Sequence, residues 1–121
     1  MGAVMGYVLI VDDQESIREL YQIFAIREGY ECEVASNGRE ALDICDKRVP
    51  TLVITDIEMP VMNGLVMMKE LGQSYPQVKI VAVSGSGDGR LTEALELGAV
   101  ATFEKPLNPA VMMKKISNFV A

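Results

Sequence analysis

A three-layer α/β sandwich, five parallel strands between two layers of helices, is the fold class the sequence predicts, and three observations predict it. Short apolar runs at 7–12, 31–35, 51–56, 79–84 and 100–105 alternate strictly with five amphipathic stretches. YVLIVD, TLVITD and KIVAVS are apolar at consecutive positions, as strands covered on both faces are. Strict β-α alternation implies parallel strands joined by right-handed crossovers, with helices on both sides of the sheet.

Each element has its own local reason. The first strand ends at Asp12, and Ile17, Leu20, Tyr21 and Phe24 then recur at i, i+3, i+4 and i+7, which predicts a helix over about 14–28 closed by Gly29. After the second strand, Asn37 and Glu40 stand at N-cap and N3 spacing ahead of Ala41, Leu42 and Cys45. The third strand ends at Asp56. The turn-rich MPVMNG follows it, and Leu65, Met68 and Leu71 suit a short helix. The fourth strand ends at Ser84. Asp88 is placed to cap a helix carrying Leu91, Ala94 and Leu95, which Gly98 terminates. VATFEK is the fifth strand, and Asn108 and Pro109 read as N-cap and N1 of a last helix lined by Met112, Ile116 and Phe119.

Composition narrows the function. In 121 residues, 11 Lys plus Arg against 17 Asp plus Glu give a net charge of −6, half the residues are apolar, and no basic cluster is present. One domain over 1–121, with about 1–6 as a short lead-in, is expected to bury a core without disulfides or metal staples. The acidic balance disfavours nucleic acid and anionic membrane as partners. The longest apolar run, Tyr7 to Val11, is far too short to span a bilayer, and no basic segment precedes it, so a cytoplasmic location is expected. Cys32 and Cys45 lack metal or redox spacing and read as reduced core thiols. There is no histidine, which removes imidazole ligands and bases and leaves carboxylate, amine and hydroxyl chemistry.

In parallel sheets, ligands bind beyond the carboxyl ends of the strands. Those ends here carry Asp12, Asp13, Asp56, Ser84 and Lys105. Two carboxylates about 4 Å apart repel by roughly 4 kcal/mol at an effective dielectric near 20, so such a cluster calls for cations. Mg²⁺, or Mn²⁺ in its place, suits an all-oxygen donor set, and Lys105 adds a fixed positive charge.

The motifs VDD at 11–13, TDIEMPVMNG at 55–64, VSG at 83–85 and KP at 105–106 occur in the order and spacing of the receiver domains of two-component response regulators, and the whole chain resembles that CheY-like family. The resemblance implies a flavodoxin-like sheet of order 2-1-3-4-5. It implies that Asp56 accepts a phosphoryl group from a sensor histidine kinase or histidine phosphotransfer protein. Asp13, Asp56 and the backbone carbonyl of Glu58 would hold Mg²⁺ directly, and Asp12 would hold it through water. Lys105 and Ser84 would contact phosphoryl oxygens, and a surface of helix four, strand five and helix five would change shape for a downstream effector. Such a protein is not an enzyme toward other substrates; it catalyses only its own phosphorylation and dephosphorylation. In this family the Lys-Pro bond is often cis.

Departures from the family pattern set further expectations. An aromatic residue is usual three positions before the lysine, and Thr102 stands there instead, with Phe103 next to it and, by alternation, on the opposite face. The aromatic in-or-out switch is therefore expected to be missing or replaced. Asn63 replaces the common Asp before Gly64, and either residue suits that turn. Glu58 and Ser86 occupy positions that tune phosphoryl lifetime in relatives, and Glu58 is expected to alter hydrolysis here by acting near the attacking water.

Simpler readings exist for each residue: Asp13 as the N-cap of the first helix, Asp56 as a solvated turn residue, Lys105 on the surface, Ser84 as an ordinary loop serine, Pro106 as a strand stop. The glycine-rich SGSGDGR lacks phosphate-loop spacing and reads as a loop. Two other functions compete with the signalling switch. One is a pseudo-receiver that binds partners without phosphate, motivated by Thr102. The other is an aspartate-nucleophile phosphatase of the haloacid dehalogenase kind, for which Asp56-Ile57-Glu58 offers only a displaced DxD and 121 residues leave no room for a cap domain.

Overall fold

The computed structural model describes residues 6–87 and 89–120. The lead-in expected over about 1–6, Gly6 apart, and the Asp88 cap lie outside the described residues. The elements are β1 (Tyr7–Val11), α1 (Glu15–Arg27), β2 (Glu31–Ala35), α2 (Gly38–Lys47), β3 (Leu52–Asp56), α3 (Gly64–Ser74), β4 (Lys79–Ser84), α4 (Arg90–Glu96), β5 (Ala101–Glu104) and α5 (Pro109–Val120). All neighbouring strands pair in parallel, in the order β2-β1-β3-β4-β5 that the family resemblance implied.

Alternate residues of the central strands feed two cores. Val8, Ile10, Leu52, Ile54, Val81 and Val83 pack under α1 and α5 with Tyr21, Ala25, Met112, Met113 and Ile116. Leu9, Val11, Val53, Ile80 and Ala82 pack under α2, α3 and α4 with Leu42, Cys45, Met67, Met68 and Leu71. Each such Leu or Ile, fully removed from water, contributes about 1.5–3 kcal/mol, so a sheet covered on both faces is well anchored at its centre. Only β2, an edge strand, alternates between exposed and half-buried positions.

Asn37 accepts from the Glu40 amide at 2.9 Å, and the Glu40 carboxylate reaches back to Ser36, so the predicted capping pair forms one residue wider than expected. Asn108 accepts from the Ala110 and Val111 amides, capping α5 as predicted. Asn63, read as a turn residue, is also the N-cap of α3 through the Val66 amide at 3.0 Å.

Three expectations need correction. Of the α1 stripe, Tyr21 is buried and Ile17 and Phe24 pack partly buried against the core as expected, but Leu20 is exposed and Ala25 is buried in its place. Leu95 is likewise exposed, and Ala94 is the buried residue of α4. Cys32 is half-buried on the edge strand rather than fully in the core, whereas Cys45 is buried. Burial pushes both thiols up, to about 12 and about 11, so neither is a reactive thiolate near neutral pH.

Candidate functional site

Strand register brings the predicted residues together. Val11 pairs with Thr55 and Asp56 pairs with Val83, while Ser84 pairs with Glu104, so the ends of β1, β3, β4 and β5 form one rim. Sheet hydrogen bonds run past the strand ends: the Asp12 amide donates to Ala35, that of Ile57 to Val83 and that of Lys105 to Ser84, at 3.0–3.1 Å. Those bonds fix the backbones on which the site side chains stand.

Carboxylate oxygens of Asp12, Asp13 and Asp56 lie within 4.8 Å of one another, Asp12 and Asp56 buried and Asp13 exposed. One Asp12 oxygen accepts from the Gln14 amide at 2.9 Å, and the other faces the Lys105 ammonium at 3.4 Å. The Asp12 carbonyl accepts from Arg18 at 2.8 Å, which fastens the start of α1 to the rim. Asp13 is therefore not the cap of α1; that position is Gln14, without a side-chain cap hydrogen bond. Lys105 also lies 3.5 Å from Asp56 Oδ2, and the bond joining it to Pro106 is cis.

Asp56 Oδ1 is buried and accepts no hydrogen bond from any of the described residues. Burial pushes the Asp56 carboxyl up to about 6 and outweighs the lowering by Lys105; the Asp12 and Glu58 charges raise it further. Burial opposes the charge of Lys105, but the carboxylates of Asp56 and Asp12 more than compensate and hold its ammonium above the ordinary lysine range. Tyr21, in the wall beneath, is pushed up to about 12 by burial and by the same two aspartates. An orphaned carboxylate oxygen beside two more, all hard donors, is a set that fits a divalent cation such as Mg²⁺.

Ser84 is the last residue of β4 and buried, not a loop serine. Its hydroxyl lies 3.0 and 2.9 Å from the two carboxylate oxygens of Glu58 and 3.1 Å from the Ser86 hydroxyl. No local pattern signals the Glu58–Ser84 pair or Arg90, whose guanidinium stands 3.6 Å from Glu58, because the partners are 26 and more residues apart. Gly64 packs so closely that a Cβ on it would stand 2.4 Å from the Asp56 carbonyl oxygen. Val61, in the same loop, is 82% exposed with a φ of 69°, a strained backbone for a β-branched residue beside the site.

On β5, Phe103 packs against the α1–α5 core, 6.0 Å from the Lys115 ammonium. Thr102 is on the opposite, α4-facing side, as alternation predicted. Glu104, on that same side, joins Ser84, Arg90 and Leu91 around a cavity of about 190 Å³. No helix among the described residues is long and apolar enough to cross a membrane.

Comparison with known proteins agrees with this geometry. The family model for the response regulator receiver domain matches residues 8–117. Sporulation initiation phosphotransferase F of Bacillus subtilis is 36% identical over 102 residues, 84% of this chain and 82% of that protein. Chemotaxis protein CheY of Thermotoga maritima is 35% identical over 112 residues, covering 91% and 93%. Among solved structures, a CheY-like receiver domain protein from Methanospirillum hungatei superposes with a TM-score of 0.88 at 29% identity, covering 96% of this chain and 93% of that one.

Proposed function

The chain belongs to the response-regulator receiver family, and from that premise we propose that it is a signalling switch phosphorylated on Asp56 by a histidine kinase or histidine phosphotransfer protein. The observation that carries the reading is the Asp56 carboxylate itself: buried, with one oxygen free of hydrogen bonds, flanked by two more aspartates and an ammonium. An oxygen of Asp56 attacks the phosphorus of the donor phosphohistidine. The P–N bond breaks, its electron pair stays on the imidazole nitrogen, and an acyl phosphate forms. Lys105, already between Asp12 and Asp56, meets a phosphoryl oxygen without reorganising, which is how a preorganised charge lowers such a barrier.

Asp13, Asp56 and the Glu58 carbonyl would hold Mg²⁺ directly. Asp12, whose two oxygens already face Gln14 and Lys105, would hold it through water. A bound Mg²⁺ would supply positive charge against the negative charge that builds on the phosphoryl oxygens. The chain then acts on itself alone, works in the cytoplasm, and signals to an effector through the surface of α4, β5 and α5.

Beryllofluoride, a phosphoryl mimic, tests this. With Mg²⁺ it should bind the protein and shift the backbone amide resonances around residues 56, 84 and 105. The shifts should vanish in Asp56→Asn and when Mg²⁺ is chelated. An unresponsive wild type would instead favour the phosphate-independent interaction module, which the threonine at 102 on the α4-facing side of β5 motivates.

A further inference from the structure

We propose that the Glu58 side chain is a latch that occupies the Ser84 hydroxyl and must be displaced before Ser84 can serve a phosphoryl group on Asp56; this rests on the phosphoryl reading of Asp56. Ser84 has one hydroxyl proton to donate. Both Glu58 oxygens stand at hydrogen-bond distance from it, 3.0 and 2.9 Å. The same carboxylate accepts from the Gly85 amide at 3.3 Å and faces Arg90 at 3.6 Å. One anion thus ties the loop after β3 to the end of β4 and to the first residue of α4.

The contact is strong for its place, because a hydrogen bond to a charged acceptor exceeds a neutral one and Ser84 is only 2% exposed. It is also poised to be broken. Asp56 lies two residues before Glu58 and pairs across the sheet with Val83, the neighbour of Ser84. A phosphoryl group there brings close to two negative charges and three acceptor oxygens, competing for the same proton and repelling Glu58. Release of Glu58 frees its hold on Gly85 and changes what faces Arg90. The event is thereby passed to α4 without an aromatic side chain at position 102. Glu58 acts through Ser84 and is a positioning residue.

Two measurements test the latch. The first is beryllofluoride affinity in the presence of Mg²⁺ for wild type, Glu58→Ala, Ser84→Ala and the double variant. Removing Glu58 should tighten binding about five- to tenfold when Ser84 is present, and by less than about twofold when it is absent. An equal gain in both backgrounds would mean that Glu58 acts only as a nearby charge, and would overturn the latch. The second needs no phosphoryl group: in Glu58→Ala the Gly85 amide should exchange its hydrogen at least about tenfold faster than in wild type. Unchanged exchange overturns the latch whatever Asp56 does. Faster exchange in a protein that binds no beryllofluoride in any variant would sink the phosphoryl reading, and the displacement with it, and would leave only the Glu58–Gly85 contact established.

Discussion

Gly64→Ala is expected to lose about 2–4 kcal/mol of folding stability, an effect of the size seen when a packed interior is forced to accept a group it has no room for. The added Cβ would meet the Asp56 carbonyl oxygen at 2.4 Å and the Ile57 Cα at 3.0 Å. Both are backbone atoms, and neither can step aside, because the Ile57 amide is bonded to Val83 and the Ile57 carbonyl accepts from the Gly64 amide at 2.9 Å. The strain would fall on the backbone of Asp56, the proposed phosphoacceptor, and of Ile57. Gly72, in the same helix, has nothing within 4 Å of its Cβ position. Gly72→Ala should therefore be neutral or stabilising by up to about 1 kcal/mol, from helix propensity. Urea denaturation of the two variants separates a local clash from a general intolerance of α3 to alanine.

The second large effect is a gain. Asp56→Asn should be more stable than wild type by about 2–3 kcal/mol at pH 7–8 without divalent cations. The Asp56 carboxyl sits at about 6 in the folded protein against an ordinary 3.8, chiefly because burial disfavours its charge. Its protonated form is thus favoured by folding. The associated stability is fully present below about pH 4 and is lost as the pH rises through about 6. Asparagine stays neutral and keeps it, so the difference between the two proteins should be absent at pH 4 and level above pH 7. Millimolar Mg²⁺ should narrow the gap by stabilising only the protein that binds it tightly. Denaturation curves from pH 4 to 8 in chelator, then in Mg²⁺, check both; an asparagine variant less stable than wild type at pH 8 in chelator would contradict the account of Asp56.

The sheet and the rim of the site were legible in the sequence for a definite reason. Consecutive apolar residues are needed where both faces of a strand are covered, so YVLIVD and TLVITD announce where the strands stop, and the first polar residues are the rim. Boundaries differ by a residue because the Asp12 amide still bonds to Ala35 across the sheet while the Asp12 side chain accepts from the Gln14 amide and turns the chain toward α1, so the regular strand stops at Val11. Periodicity placed α1 and the facing of Ile17, Tyr21 and Phe24 but not the edge of the stripe, where Leu20 is exposed and Ala25 is buried. Asp13 is not the cap of α1, because Asp12 takes the Gln14 amide, which a local pattern cannot show. The grip of Glu58 on Ser84 is not legible in the sequence, since a pairing between the loop after β3 and the end of β4 depends on how strands stack rather than on spacing along the chain.

The claim at the centre is that Asp56 becomes an acyl phosphate. Incubation with acetyl phosphate and Mg²⁺, followed by intact mass measurement and mapping of the modified residue, tests it most directly. The account predicts the gain of one phosphoryl group, on Asp56 alone, absent without Mg²⁺ and absent in Asp56→Asn. An unchanged mass, or a phosphoryl group found on another residue, would contradict it.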